Sequence, residues 1–302
     1  MKTHKTRKLV LLSFIGVLCV IFVLQLVAGA RNSVRTLTLN EKPDTILIVK
    51  PDGTNIQIVK NGDKWIIGDR KYPADSSKIN AMVSALETVK VLGTVSKNSD
   101  DERYGLVKTA GISVSAIKDG KTLRKLTIGK ESVTAEQAYI NLDDGKDVLL
   151  VTGSLKDTFD KTVGDIRDKG IFSLDADSLT KISVTGSTEA NDNWVLEKAG
   201  DPPLWTLTSD STPVVDAEKA ANWVKSLVSL DAADFAPENI ALPATTLGKI
   251  SFTEGGKDVS LTVYEKSSDK QYLCSSSENQ YPFYLTPYVA EKYLKKITDL
   301  AK

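Results

Sequence analysis

The pattern of apolar positions along the chain repeats once. After Asp75, apolar residues fall at offsets of 4, 7, 8, 11 and 14, which is the spacing of one helix face. The same offsets recur after Asp216 without a gap. The matched pairs are Ile79 and Ala220, Met82 and Trp223, Val83 and Val224, Leu86 and Leu227, and Val89 and Leu230. Each aspartate is placed to cap the first N–H groups of its helix. The pattern therefore predicts two equivalent amphipathic helices.

Alternating segments surround the two helices in the same order. "TILIVK" and "TKISVTG" come first, and the hairpins "NIQIVKNGDKWII" and "NWVLEKAGDPPLWTL" follow. After each helix come two strand pairs and a short helix that starts at Ser154 or Pro287. Turns are indicated at Asn61-Gly62, Asp119-Gly120 and Gly255-Gly256. We expect an α+β protein with tandem repeated units at residues 44–163 and 178–302, each a curled antiparallel sheet packed with a helix.

An uncharged run of twenty residues, Leu9 to Ala28, precedes these units and follows a basic tail at residues 1–8. Twenty helical residues rise about 30 Å, which is the thickness of a bilayer core. The sequence therefore predicts a transmembrane anchor at residues 9–29, a linker at 30–43, and a connector between the units at 164–177. The stronger basic flank lies before the run, so the N-terminus is expected in the cytoplasm and the body outside the inner membrane. A signal peptide cleaved near Ala30 is the alternative.

Charge and residue inventory exclude several classes of function. Beyond residue 30 the chain has 35 basic and 39 acidic residues, a balance that does not favour nucleic-acid binding. The only histidine is His4, so the body has neither a histidine-based catalytic triad nor an imidazole metal site. Cys274 is the single cysteine beyond Cys19, and we expect it to be a buried apolar residue. We expect no cofactor, no metal and no catalytic residue.

Aromatic residues and the connector supply the remaining candidates for an interaction or structural role. Trp65 and Trp205 end the first hairpins, where packing between sheet and helix is expected and a ligand platform is the alternative. Tyr284 and Tyr288 belong to "YPFYLTPYVAEKY", which predicts either core packing or a contact surface for a partner or lipid headgroups. Arg167 lies between Asp165 and Asp168, and ion pairs there would fix the angle between the units.

Several motifs resemble those of one bacterial family. In order they are "WIIGDRKYPAD", "ERYGL" with Tyr104, Gly105 and Leu106, "LTIGK", "AYI", and "DIRDK" from Asp165 to Lys169. Over roughly Ile46 to Leu300 the chain resembles the family named domain of unknown function 4340. The second unit departs from the pattern, because "NIALPATTLG" stands where a Tyr-Gly-Leu motif would be expected. The family has no assigned enzymatic activity, so the resemblance implies no catalytic positions.

The resemblance also implies a setting. Members of this family are typically anchored by one N-terminal helix, and their genes often lie beside those of a gliding-motility-type ABC transporter. We therefore expect a non-enzymatic, extracytoplasmic binding or scaffold subunit whose partner is a transporter permease or auxiliary subunit. The alternative is a carrier or sensor that binds a lipid or glycan between the two units. A deep apolar cavity that exposes Trp205 or Trp223 would favour that alternative.

Overall fold

A computed structural model describes residues 13–25, 34–100, 102–133, 136–186, 193–208, 213–237, 239–268 and 271–302. The chain divides into unit 1, Met1–Asp168, and unit 2, Lys169–Lys302. Within the described parts, antiparallel strands are the dominant secondary structure of both units. The expected α+β balance is thus corrected to a mostly antiparallel-sheet protein, because strands cover far more of the described residues than helices do.

The expected transmembrane helix is also corrected. The described part of helix α1 is residues 13–25. Among the described residues, no helix is both long enough and apolar enough to span a bilayer. The remainder of the span predicted from Leu9 to Gly29 lies outside the described residues.

Unit 1 contains one sheet whose described strands follow the order β1-β6-β10-β9-β8-β7-β2-β3-β4-β5. The strands are β1 (Arg35–Thr38), β2 (Thr45–Val49), β3 (Asn55–Asn61), β4 (Lys64–Ile67), β5 (Tyr72–Pro73), β6 (Thr88–Ser96), β7 (Ile112–Lys118), β8 (Lys121–Glu131), β9 (Gln137–Leu142) and β10 (Val148–Thr152). The helices are α2 (Ser76–Glu87), α3 (Leu155–Phe159) and α4 (Val163–Ile166). Ile79, Met82 and Leu86 of α2 are buried together with Phe159 of α3 and the alternating inward residues of the sheet.

Unit 2 contains a main sheet in the order β14-β13-β12-β17-β18-β19-β20-β16 and a separate pair, β11-β15. The strands are β11 (Gly170–Ser173), β12 (Leu179–Gly186), β13 (Trp194–Ala199), β14 (Leu204–Leu207), β15 (Ser229–Asp231), β16 (Asp234–Phe235), β17 (Thr246–Glu254), β18 (Lys257–Ser268), β19 (Gln271–Ser276) and β20 (Asn279–Leu285). The helices are α5 (Ala217–Leu227) and α6 (Pro287–Tyr293). The core contains Trp194, Trp205 and Trp223 with Phe252, Phe283 and Tyr293.

The two units share one strand order. Equivalent strands lie in the same order in the two sheets. The order is β4-β3-β2-β7-β8-β9-β10-β6 in unit 1 and β14-β13-β12-β17-β18-β19-β20-β16 in unit 2. Each unit also has a leading strand that pairs with the strand directly after its long helix, as Leu37 does with Val89 and Phe172 with Leu230. These leading strands, β1 and β11, lie in the segments expected to be a linker and a connector.

Each unit is closed by a clasp that joins its last residues to the start of its long helix. In unit 1 the Asp75 N–H donates to the Ile166 carbonyl at 2.9 Å, and Ala74 forms a β-bridge with Arg167. In unit 2 the Asp216 N–H donates to the Leu300 carbonyl at 2.9 Å. Val215 forms the corresponding bridge with Ala301. We call these contacts the unit 1 clasp and the unit 2 clasp.

Candidate functional site

The helix starts have the predicted caps. Asp75 accepts from the Ser77 and Lys78 N–H groups, which confirms its predicted role at the start of α2. The Ser77 hydroxyl also donates to its carboxylate and is the main reason that the pKa of Asp75 is lowered. Asp216 accepts from the Glu218 and Lys219 N–H groups at the start of α5. Both aspartates are therefore explained by helix capping.

The unit 1 clasp brings together the candidates of the connector. Asp165 completes a capping box with Thr162 at the start of α4, and the Asp168 N–H donates to the Pro73 carbonyl. The Arg167 side chain is only 7% exposed and its guanidinium lies 3.9 Å from the centroid of the Tyr72 ring. That distance is well within the range of a cation–π contact. The predicted control of an angle between units by ion pairs stays a prediction.

The Tyr-Gly-Leu motif forms a loop that presses directly on strand β8. Gly105 has a φ of +67°, a backbone conformation that favours glycine, and Leu106 is buried. A Cβ atom on Gly129 of β8 would lie 2.1 Å from the Tyr104 carbonyl oxygen. Glycine is therefore required at position 129 for this close approach of two backbones.

The ring of Tyr104 faces the surface above this anchored loop. Its centroid is 5.0 Å from that of Tyr139 on β9, and the two rings meet edge to face. The Arg103 guanidinium lies 5.7 Å from the Tyr104 ring centroid. Both tyrosines are half-buried and Arg103 is exposed. We call Arg103, Tyr104 and Tyr139 the Tyr104 surface. Tyrosine and arginine are the side chains most enriched at the energetic centres of protein interfaces.

The hairpin tryptophans belong to the two cores, as expected for packing between sheet and helix. Trp65 pairs with Lys60 across β3 and β4, and Trp205 pairs with Lys198 at the same place in unit 2. Each tryptophan is 7% exposed. Trp223, on α5, is also buried, and its ring lies 5.3 Å from that of Trp194. Neither Trp205 nor Trp223 is exposed in a deep cavity.

The aromatic stretch near the C-terminus is divided between core and surface. Phe283 and Tyr293 are buried, whereas Tyr284 on β20 is half-buried. Tyr288 on α6 is 81% exposed. The sequence therefore identified this aromatic region, but it did not distinguish the buried rings from the exposed ring of Tyr288.

The sequence reading missed the buried polar residue Arg124, and it included Tyr293 only as a member of the aromatic stretch. Arg124 of β8 is buried and donates to the carbonyls of Leu37, Leu86 and Glu87. A signal was present, because Arg124 is in phase with Leu126 and therefore points to the same face of the strand. The hydroxyl of Tyr293 lies 3.0 Å from the Leu227 carbonyl oxygen. Burial raises the pKa of Tyr293, so the phenol keeps its proton.

Cys274 is buried, as expected, and burial raises the pKa of its thiol to about 12. The thiol is therefore protonated and unreactive at neutral pH. Within the described ranges, no group of three or more His, Cys, Asp or Glu side chains could hold a metal ion. These observations leave the Tyr104 surface as the candidate functional site.

Comparison with known families identifies the family of the chain. The model of the domain of unknown function DUF4340 matches residues 65–250. The chain belongs to the DUF4340 family. The DUF4340 match includes the Tyr104 surface, the closing residues Asp165 to Asp168, and helix α5, whereas Tyr284 and Tyr288 lie beyond it. No curated protein and no solved structure matches the chain.

Proposed function

We propose that this protein is a non-enzymatic, extracytoplasmic binding or scaffold subunit of an ABC-type envelope transport system. Its partner would be the permease or an auxiliary subunit of a gliding-motility-like transporter. The expected setting of the DUF4340 family motivates the choice of transporter. The uncharged run from Leu9 to Ala28, preceded by basic residues, is consistent with export of the body.

One observation carries the proposal: the Tyr-Gly-Leu motif presents an aromatic surface on a rigid support. Leu106 is buried, and Gly105 and Gly129 allow the backbone of the loop to lie directly against strand β8. Tyr104 is thereby held on Tyr139 before any partner arrives. A preordered aromatic side chain loses little conformational freedom on binding, which favours affinity. The Tyr-Gly-Leu motif thus supports the aromatic surface through which the protein would contact its partner.

Affinity capture from native membranes tests the proposal. The full chain would carry a tag, and mass spectrometry would identify the proteins recovered with the wild type and with a Tyr104→Ala/Tyr139→Ala double variant. We expect transporter subunits with the wild type and at least a tenfold lower recovery with the double variant, because aromatic hot spots contribute about 2 kcal/mol or more. Circular dichroism would establish that the double variant is folded.

Tyr288→Ala is the matched control, since it removes an exposed tyrosine in the other unit. We expect this variant to recover transporter subunits as well as the wild type does. Recovery of no transporter subunit by the wild type would overturn the proposed partner. Loss of recovery with Tyr288→Ala alone would instead assign binding to α6 and would overturn the role of the Tyr104 surface.

A further inference from the structure

A groove within unit 2 lies between strand β14 and helix α5. Its floor is formed by Trp205 and by Ala217, Ala221 and Val224, which lie along one face of α5. Leu204 stands at the edge and is 50% exposed, although it is a large apolar residue. The volume is about 140 Å³. That is close to the roughly 150 Å³ of an apolar cavity that accommodates benzene, so one leucine- or phenylalanine-sized side chain fits.

The shared strand order of the two units allows the same positions to be compared in unit 1. Lys64 stands at the position of Leu204, since each precedes the tryptophan of its hairpin. Asn80 and Ser76 stand at the positions of Ala221 and Ala217, because the helices align without a gap. All three unit 1 residues are polar and exposed. Unit 2 therefore has apolar residues at three positions where the same strand and helix arrangement carries polar residues in unit 1.

The rim of the groove has a net positive charge. It carries the ammonium groups of Lys198 and Lys225 and the carboxylate of Asp177. The Lys198 ammonium donates to the Asp177 carbonyl at 3.0 Å, which holds it at one side. Lys225 is exposed in the last turn of α5, at the position of the neutral Ser84 in unit 1. This positive charge favours the binding of a ligand that carries a carboxylate close to Lys225.

We propose that the groove binds a peptide segment of a partner protein through one bulky aliphatic or aromatic side chain that is adjacent to acidic residues. The apolar side chain would fill the space over Trp205 and Ala221, and a neighbouring carboxylate would pair with Lys225. An unpartnered apolar residue such as Leu204 would then be covered. The inference concerns unit 2 alone and does not depend on the transporter or on the Tyr104 surface.

The test uses three fluorescein-labelled pentapeptides: Gly-Glu-Leu-Glu-Gly, its leucine-to-alanine form, and its glutamate-to-lysine form. Fluorescence anisotropy would be measured during titration with the full chain. We expect binding of the first peptide and about tenfold weaker binding of each altered form, in line with loss of one buried side chain or of charge complementarity. NMR of ¹³C-labelled alanine methyl groups would locate binding at Ala217 and Ala221.

A Leu204→Lys/Ala221→Asn double variant gives the groove the residues of unit 1, which are compatible with this fold. We expect it to bind the first peptide at least tenfold more weakly than the wild type. The matched control is Lys64→Leu/Asn80→Ala in unit 1, which leaves the unit 2 groove intact and should bind with unchanged affinity.

Four results would overturn the proposal. They are no binding up to millimolar chain concentration, equal binding of the lysine form, undiminished binding by the Leu204→Lys/Ala221→Asn variant, and a methyl response elsewhere in the chain. Sedimentation equilibrium provides one further check. Self-association that the same double variant abolishes would assign the groove to a second copy of the chain and would also overturn the proposal.

Discussion

The two units end their long helices differently, because the residue after α2, Thr88, is extended and the residue after α5, Val228, is still helical. Different side chains also lie beside the two helix ends. The last carbonyl groups of a helix lack partners within it and need donors from elsewhere. In unit 1 the Arg124 guanidinium donates to the Leu86 oxygen and, at 3.1 Å, to the Glu87 oxygen. It also donates to the Leu37 oxygen of strand β1 at 3.3 Å. In unit 2 the Tyr293 hydroxyl lies 3.0 Å from the Leu227 oxygen, and Lys292 donates to the Ser226 oxygen.

This difference shows which features of the duplicated fold are fixed. The strand order, the clasps and the aspartate N-caps are common to both units, whereas the donors at the C-terminal helix end come from different elements, β8 in one and α6 in the other. The backbone sets the requirement for a donor, and any side chain that reaches it can satisfy it. The buried arginine is thus explained as a structural residue.

The largest effect is expected from Arg124→Ala. The substitution removes the donor from three carbonyl groups and leaves a cavity beside α2, so we expect the free energy of unfolding of unit 1 to fall by about 3 kcal/mol. Urea unfolding would be followed by tryptophan fluorescence, and hydrogen exchange with mass spectrometry would assign the loss to unit 1.

Lys125→Ala is its control on the opposite face of β8, where Lys125 forms a surface ion pair with Asp144. We expect a change of about 0–1 kcal/mol for this variant. A similar stability of the two variants would contradict the capping role of Arg124.

An intermediate effect is expected from Tyr293→Phe. The ring still fills the core of unit 2, but the Leu227 and Ser229 carbonyls lose the hydroxyl. We expect unit 2 to lose about 1–2 kcal/mol, with faster hydrogen exchange at the end of α5. Tyr288→Phe serves as the control, since Tyr288 is exposed. Unchanged exchange in α5 would show that the hydroxyl is not needed there.

The smallest effect is expected from Asp75→Ala, at about 1 kcal/mol in unit 1 at pH 7. The pKa of Asp75 is lowered in the folded state, chiefly by the Ser77 hydroxyl. The stabilisation is therefore present above the unfolded pKa of about 3.9 and is lost as the pH falls through the folded value. The difference between wild type and variant should shrink below about pH 4 in urea titrations.

The corresponding carboxylate in unit 2 sharpens this comparison. The pKa of Asp216 is also lowered, mainly by the Lys219 N–H group. Asp216→Ala should therefore show the same direction of pH dependence, with the change confined to unit 2. An Asp75→Asn variant, which keeps a capping oxygen, should differ from wild type mainly through this pH dependence. A difference that grows on acidification would contradict the assignment.

Local chemistry made much of this fold predictable from sequence. The turns at Asp119-Gly120 and Gly255-Gly256 have positive φ at both residues, as such dipeptides indicate. The buried faces of α2 and α5 match the helical spacing read from the chain. In these places the residues that specify the structure are neighbours in sequence, so the pattern contains the information.

The features that were missed depend on contacts between distant residues. Strand β1 is short and mostly exposed, so its only signal was one apolar residue, Leu37. The close approach of Tyr104 to Gly129 joins positions far apart in sequence, and no spacing rule indicates it. The groove over Trp205 likewise became visible only when the register of β13 and β14 was known. Tertiary contacts decide such features.

The clasps have a consequence for how the chain is made. Ile166 and Asp75 are roughly 90 residues apart, yet their hydrogen bond closes unit 1. A polypeptide leaving the ribosome from its N-terminus therefore has the whole sheet available before the residues that lock it have emerged. Unit 1 can therefore close only after the residues up to Ile166 are available, and Leu300 sets the same condition for unit 2.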